Sequence, residues 1–468
     1  MYSGGLLGLF LGFVVLPEII FIIFGVMYQI EEYVLRFNFL YGIGGIILFV
    51  IGIAGASILS CKSELSRMPA TLMRPKAPKN GSRVFLERFT SIWSKLSFLN
   101  KVTVRNLFRY KKRLFMTLFG IAGCTSLLIA GFTIKDTVTE LMNRQYGEAY
   151  IYDAMVVAED NETLLENLEG DEDIRSYLNM HISNVKIMNE DGKEETVQLM
   201  VVPEGSTLRG YINLYDENDA TIKLEDGDVF VTINATNLLG VSEGDMISIQ
   251  TLQLDMAELE ITDVAMNYLG NCVYMTQATY EESFGEFEAN SALIRMSSDD
   301  SEHEAWAENL AKQEGILSAS AAAGFESAAD SVFRILNLVV YIVITLAAAL
   351  AFVVLFTLAT TNISEREREL ATIKVLGFYD KEVHLYVNKE TLILTSLGIL
   401  MGLPIGKVFG EWLMSILDMP SIYFDAHIYP ISFVISAVLA ITFAFVVNFI
   451  TDRSLDKIDP VEALKSIE

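Results

Sequence analysis

The sequence predicts an α-helical polytopic membrane protein. It should have six transmembrane helices, both termini in the cytoplasm (N-in/C-in), and an α+β extracytoplasmic domain on a helical stalk. Three observations predict this. Of the 468 residues 52% are hydrophobic, yet the formal net charge is −26. That charge is segregated: residues 136–330 hold 8 Lys+Arg and 41 Asp+Glu, a balance of −33, and the remainder holds 26 and 19, a balance of +7. Uncharged stretches of about 20 residues, enough to cross a bilayer, flank the acidic block. The pattern excludes a cytosolic enzyme, a nucleic-acid binder, which would need a basic face, and a disordered acidic chain.

The spans follow in order. Residues 38–61, 114–134, 335–364 and 428–451 carry no charge. Residues 1–30 are apolar except for Glu18, and 391–417 except for Lys407 and Glu411. The N-terminal stretch is no signal peptide, being too long and lacking a basic start. The organisation is then two helices in 1–61, a linker at 62–113, a helix at 114–134, the outer domain at 135–334, and a helix at 335–364. A cytoplasmic segment at 365–390, two helices in 391–451 and a tail at 452–468 complete it. Lys and Arg mark the cytoplasmic side. The linker holds 14 of them against Glu64 and Glu87, so it is expected inside and the acidic insert outside. The segment 418–427 is then a short outer loop.

Inside the insert, Lys135–Glu148 should continue the third span as an amphipathic helix, forming the stalk. Strands are expected at Tyr150–Val157, Val185–Met188, Thr196–Val202, Asp228–Ile233, Met246–Thr251 and Leu259–Ala265. Asp191-Gly192 signals a hairpin between the second and third. Residues 234–245 fit a short helix, a Gly240 stop and a tight turn. Helices are expected at Ser301–Gln313 and from Ala323 into the fourth span. The acidic excess either keeps the domain soluble or attracts a cationic ligand.

No catalytic set, cofactor motif or metal site is expected. The histidines (His181, His303, His384, His427) are scattered, and one cysteine in the insert, Cys272, makes no internal disulfide. Gly402–Lys407 fails the spacing of a phosphate loop. Lys407 and Glu411 stand one turn apart and can pair.

Glycines recur every four residues in two spans: Gly4, Gly8 and Gly12, then Gly398, Gly402, Gly406 and Gly410. Each set forms one helix stripe that admits a close neighbour. This is either general membrane packing or a mark of duplication. Leu65–Arg74 also resembles Leu455–Lys465. Residues 1–76 thus read as the end of one unit and 101–468 as a whole second unit, the chain being the later part or a shortened form of a two-unit protein.

Residues 365–390 read as a helical elbow. Glu365–Glu369 continues the fourth span as a charged helix, with Leu370 and Ile373 on one stripe. Gly377 is placed for a left-handed C-cap, Lys374 for the last turn and Asp380 for the next N-cap. Val383, Tyr386, Val387 and Glu390 share a face of the second helix. Phe378 and Tyr379 are left at the turn, either as membrane-surface anchors or as knobs for a partner.

Asn362–Phe378, Glu390 with the ladder from Gly398, Ile458–Lys465 and the turn Leu238–Ile247 resemble the FtsX-like permease family, the membrane subunits of MacB-type ABC systems. Met73–Lys79 and Lys101–Arg113 resemble the central part of its long, two-unit members. The resemblance implies a multi-pass protein of the bacterial plasma membrane with no ATPase of its own, working with a separate ABC ATPase subunit. It places the coupling contact in 365–390, on Glu369, Lys374, Gly377, Phe378, Tyr379, Asp380 and Glu390. Other partners implied are membrane lipids, a second permease chain or missing first unit, and a lipid, lipoprotein or peptide substrate. Two readings compete with this one: a membrane sensor with an outer ligand domain, and an ion-coupled carrier.

Overall fold

The computed structural model describes residues 38–65, 111–417 and 421–456 continuously, with isolated positions between 8 and 21 and between 94 and 108. The expected first span, most of the basic linker and the end of the tail lie outside the described residues. Contacts divide the chain into two units, Met1–Leu118 with Asn362–Leu394 and Ser454–Glu468, and Phe119–Thr361 with Thr395–Arg453.

In the first unit, helix α1 (Phe39–Leu65) is uncharged until Lys62. Asn38 starts it, its side-chain oxygen accepting the Leu40 N–H at 3.0 Å, which satisfies one orphan donor of the first turn.

Helix α2 (Lys111–Met142), which lies in the second unit from Phe119 on, runs on as a π-helical turn, Asn143–Ala149. Strand β1 (Ala154–Ala158), helix α3 (Asn161–Leu168), β2 (Ile174–Met188) and β3 (Glu194–Val202) follow. Next come β4 (Val229–Thr232), α4 (Ile233–Leu239), β5 (Met246–Gln250), β6 (Met256–Glu260) and β7 (Asp263–Ala265). Then β8 (Cys272–Thr276), α5 (Gln277–Phe284), β9 (Ser291–Met296), α6 (Asp300–Leu310) and β10 (Ile316–Ala321) lead into α7 (Ala322–Glu365). The elbow helix α8 (Glu367–Val375), α9 (Asp380–Ile416) and α10 (Pro430–Asp456) complete the chain.

The strands form one mixed sheet in the order β10-β1-β9-β2-β3-β8-β4-β7, with β5 beside β2 and β6 beside β5. The expected hairpin is present: β2 and β3 pair antiparallel from His181↔Val201 to Met188↔Glu194, with Gly192 at φ +80° in the turn. Only a residue without Cβ adopts that conformation cheaply. The central pair β3 and β8 is parallel. Both faces of this centre are buried, since Val197, Leu199 and Val201 enter one core and Met200 and Val202 another.

The structure departs from expectation in places. The first strand begins at Ala154; Tyr150 makes only an isolated bridge, to Ile212. The expected strand over 259–265 is two, β6 and β7, and β8, β9, β10, α3 and α5 are additional. The stalk is not a bare stalk. Val138 and Leu141 of α2 are 3% and 2% exposed and belong to the same core as β3, β4, β5 and β8, so this helix is a wall of the outer domain. Gln145 in the π turn is fully buried and accepts the Tyr268 and Leu269 N–H groups at 2.9 and 3.1 Å.

Among the described residues four helices are long and apolar enough to cross a membrane: Leu114–Ala149, Val340–Ser364, Asp380–Ile416 and Pro430–Asp452. Phe39–Gly55 is a shorter apolar run.

Candidate functional site

Two sets of sequence-marked residues are each engaged within their own unit: the ladder of the fifth expected span in the second, and the elbow in the first.

The ladder makes a helix seam within the second unit. A Cβ on Gly402 would lie 2.7 Å from the Ala122 carbonyl oxygen and 2.7 Å from Thr125 Cβ. On Gly406 it would lie 2.6 Å from Ile129 Cβ, and on Gly410 2.8 Å from Thr133 Cβ. Real side chains do not tolerate such distances, so at these turns the bare glycine backbone of α9 lies directly on Ala122, Thr125, Ile129 and Thr133 of α2. Thr125 and Thr133 fold their hydroxyls back to the carbonyls of Ile121 and Ile129, both at 2.9 Å, which satisfies these polar groups within their own helix. Gly398 is buried at the next position of the stripe. The first ladder differs: Gly4 lies outside the described residues, and a Cβ on Gly8 or Gly12 would meet no described atom within 4 Å. Lys407 and Glu411 pair at 3.5 Å, both half-exposed.

The segment expected as a short outer loop does more. The Gly270 N–H donates to the Ser421 carbonyl and the Tyr423 N–H to the Tyr268 carbonyl, both at 2.9 Å, and Leu269 and Ile422 form a β-bridge. Phe424 enters the core that holds Val138 and Leu141. Thr137 donates to the His427 carbonyl at 3.2 Å and accepts its N–H at 3.0 Å. Buried Asp136 accepts the Tyr429 N–H at 3.0 Å and the Ser432 hydroxyl at 2.5 Å. The strap therefore ties the outer domain, α2 and the start of α10 together. Asp136, Thr137 and Gln145 were not singled out by sequence; their partners lie more than 100 residues away.

The elbow belongs to the first unit. Helix α8 ends in a Schellman motif. The Phe378 N–H reaches the Ile373 carbonyl at 3.4 Å, the Gly377 N–H reaches the Lys374 carbonyl at 3.0 Å, and Gly377 has φ +96°. This is the left-handed cap that glycine permits. Lys374 sits in the last turn. Asp380 is not an N-cap. It is the first residue of α9 and its carboxylate meets Lys374 at 3.0 Å across the turn. The helix start is served by Glu382, which accepts the Tyr379 N–H at 3.0 Å, half of a capping box.

The charged run does not continue the preceding helix unbroken, as the sequence led one to expect. The helix breaks at Arg366, which is 4% exposed and turns inward. Its guanidinium pairs with Glu390, fully buried on α9, with Glu369 at 3.2 Å and with the Tyr386 hydroxyl at 2.9 Å. Around this pair Leu370 and Ala371 pack on Val383 and Val387, with Ile373 and Tyr386 at the margin. The stripes expected on the two helices thus face each other. Burying an ion pair is costly unless every polar group is bonded, and here one arginine satisfies two carboxylates and a phenol. The ends of this rigid corner are bare: Phe378 is 49% and Tyr379 79% exposed.

Comparison with known proteins places these features. No curated protein matches the chain. Among solved structures, the extracellular domain of the noncanonic ABC-type transporter YknZ from Gram-positive bacteria is similar at 10% identity and a TM-score of 0.25, covering 36% of this chain and 98% of that one. The periplasmic region of MacB from Actinobacillus actinomycetemcomitans is similar at 10% identity and a TM-score of 0.25, covering 39% and 94%. Residues 341–455, which include the elbow and the seam helix α9, match the FtsX-like permease C-terminal family.

Proposed function

We propose that the chain is the membrane subunit of an ABC transporter of the FtsX/MacB type. ATP is hydrolysed by a separate subunit, and the work is delivered at the outer face as export, extraction or force. The observation that carries this reading is the elbow. It lies within the matched stretch 341–455 and combines a locked interior with two exposed aromatics at its tip. A rigid corner transmits displacement, whereas a loose one absorbs it. Aromatic side chains standing free of the fold are the residues that dominate protein interfaces.

Phe378 and Tyr379 are the knob that fills a groove of the ATPase. Gly377, Lys374 and Asp380 hold the turn that presents them. Glu369 and Glu390 hold Arg366 and so fix the angle between α8 and α9. The chain itself carries no ATP chemistry in this reading.

Replacing Phe378 and Tyr379 together by Ser tests it in the full chain in its native membrane. Insertion and outer-domain folding should be retained, while co-purification of an ATPase subunit and its stimulated hydrolysis are lost. Normal partner binding and turnover would make the aromatics surface anchors and end this assignment.

A further inference from the structure

The loop 203–228, between β3 and β4, is used by neither the elbow nor the seam. Its backbone is pinned. The Tyr211 and Ile212 N–H groups donate to the Leu208 carbonyl at 2.9 and 2.8 Å, and the Ile222 N–H donates to the Leu214 carbonyl at 3.0 Å. The two arms of the loop curl over the ends of the parallel neighbours β3 and β8, where Val202 and Thr276 stand in register. A cavity of about 250 Å³ remains between the arms and the strand ends.

The cavity has two chemically different parts. Leu208, Ile212 and Leu214 are buried and belong to the same core as Val202, so its floor is apolar. Its rim carries Arg209 and Lys223, both exposed, with Glu225 the one acid of the lining. Neither cation makes an ion pair with a described residue, whereas Arg144, Lys186 and Arg295 each hold a carboxylate. Residues 136–330 contain only 8 basic side chains against 41 acids, and two of the eight stand at this one cavity. The local balance is +1 in a stretch of −33. The net charge of the stretch repels an anion; here it meets a planar guanidinium that suits phosphate or carboxylate and an ammonium.

We propose that this cavity binds an organic anion with an apolar tail, its headgroup between Arg209 and Lys223 and its tail on the Leu208–Ile212–Leu214 floor. The volume stands just below the usual 300–1,000 Å³ of small-molecule sites. It therefore accepts a headgroup and a short hydrocarbon segment, not a whole lipid. A cationic ligand would face two like charges. The site stands whether or not an ATPase drives the chain, and its test contains none.

The test uses the full chain in phosphatidylcholine nanodiscs and a photoactivatable octyl phosphate, with labelled peptides located by mass spectrometry. Labelling should fall within 203–228. Unlabelled octyl phosphate should compete at least tenfold better than inorganic phosphate, octanol or octyltrimethylammonium. R209Q/K223Q should lower labelling about tenfold, and K193Q/K312Q, the same charge change outside the cavity, should leave it unchanged. The single variants R209Q and K223Q, each reducing labelling, keep the test decisive should the double variant lose its fold. Competition by added phosphatidylglycerol would uphold the site and assign a bilayer source; its absence, with octyl phosphate still bound, would uphold the site for a free solute. Labelling elsewhere, equal competition by octanol or inorganic phosphate, or indifference to R209Q/K223Q overturns the proposal.

Discussion

Asp136, buried on α2, accepts the backbone N–H of Tyr429 at 3.0 Å, and so one helix caps the start of another that is almost 300 residues distant. The same carboxylate takes the Ser432 hydroxyl. A negative group at a helix N-terminus is favourable electrostatically, and here it also meets an N–H that has no partner within its own helix. Asp136→Ala leaves the Tyr429 N–H and the Ser432 hydroxyl unpaired, at a cost of about 1–3 kcal/mol. Hydrogen exchange of the full chain should quicken at residues 421–435 while β3 and β8 stay protected. Unchanged exchange at Tyr429–Ile435 would show that the cap does not hold the strap.

The seam makes a sharper prediction than a general appeal to small residues. Gly402→Leu drives a side chain against the Ala122 carbonyl oxygen, which belongs to backbone and cannot rotate away. Overpacking of this kind typically costs about 1–3 kcal/mol, and a backbone clash stands at the upper end. Thermal unfolding of the full chain should shift downward for Gly402→Leu and for Gly406→Leu, but not for Gly12→Leu, whose Cβ meets no described atom. Equal effects at all three positions would mean that the stripe is not a helix contact.

Much of this was legible in the sequence, and the exceptions share a cause. Charge segregation located the acidic insert. Asp191-Gly192, Gly240 and Gly377 marked turns because positive φ is a local demand that glycine meets without steric cost, and Gly240 and Gly377 do have φ of +73° and +96°. Strand β8 was missed because Cys272, Val273, Tyr274 and Met275 are all buried, leaving no alternation of polar and apolar positions to read. Arg366 was read as one residue of a charged helix continuing the fourth span, because its partner Glu390 lies 24 residues on. The strap was read as a plain loop although Ile422, Tyr423 and Phe424 stood in it. Their docking surface is Tyr268–Gly270, and no local pattern connects the two.

Cys272 offers a reporter of outer-domain integrity. It is fully packed beside Tyr150 and Tyr274, and burial pushes its thiol up to about 11. The thiolate is the reactive form, and at pH 8 it makes up about 0.1% of the population. Maleimide should leave Cys272 unmodified in the folded chain for hours and modify it promptly in denaturant, as mapped by mass spectrometry. Raising the pH should keep speeding the native reaction past 9.0, the ordinary thiol value, and level off only at about 11. Prompt labelling at pH 8 without denaturant would place Cys272 outside the core.

The elbow's stiffness can be separated from its contact surface. Arg366 pairs with Glu369 of α8 and with Glu390 of α9, the latter fully buried. Removing one member of a buried pair strands the other, at about 3–5 kcal/mol, so Glu390→Ala should loosen the packing of Leu370 on Val383 and Val387. Arg366→Met removes the other member and takes the guanidinium away from Glu390 instead. The double variant, Arg366→Met with Glu390→Leu, strands neither and restores an apolar interior. It should recover most of the lost stability in thermal unfolding, since apolar replacement of a buried pair is often neutral or better. Phe378 and Tyr379 are untouched in all three. If the elbow works as a rigid corner, stimulated ATP hydrolysis should fall in both single variants and return in the double. If hydrolysis stays low in the double despite recovered stability, Arg366 or Glu390 contributes its charge directly to the partner. If the single variants hydrolyse normally, stiffness at this corner is not what transmits the stroke.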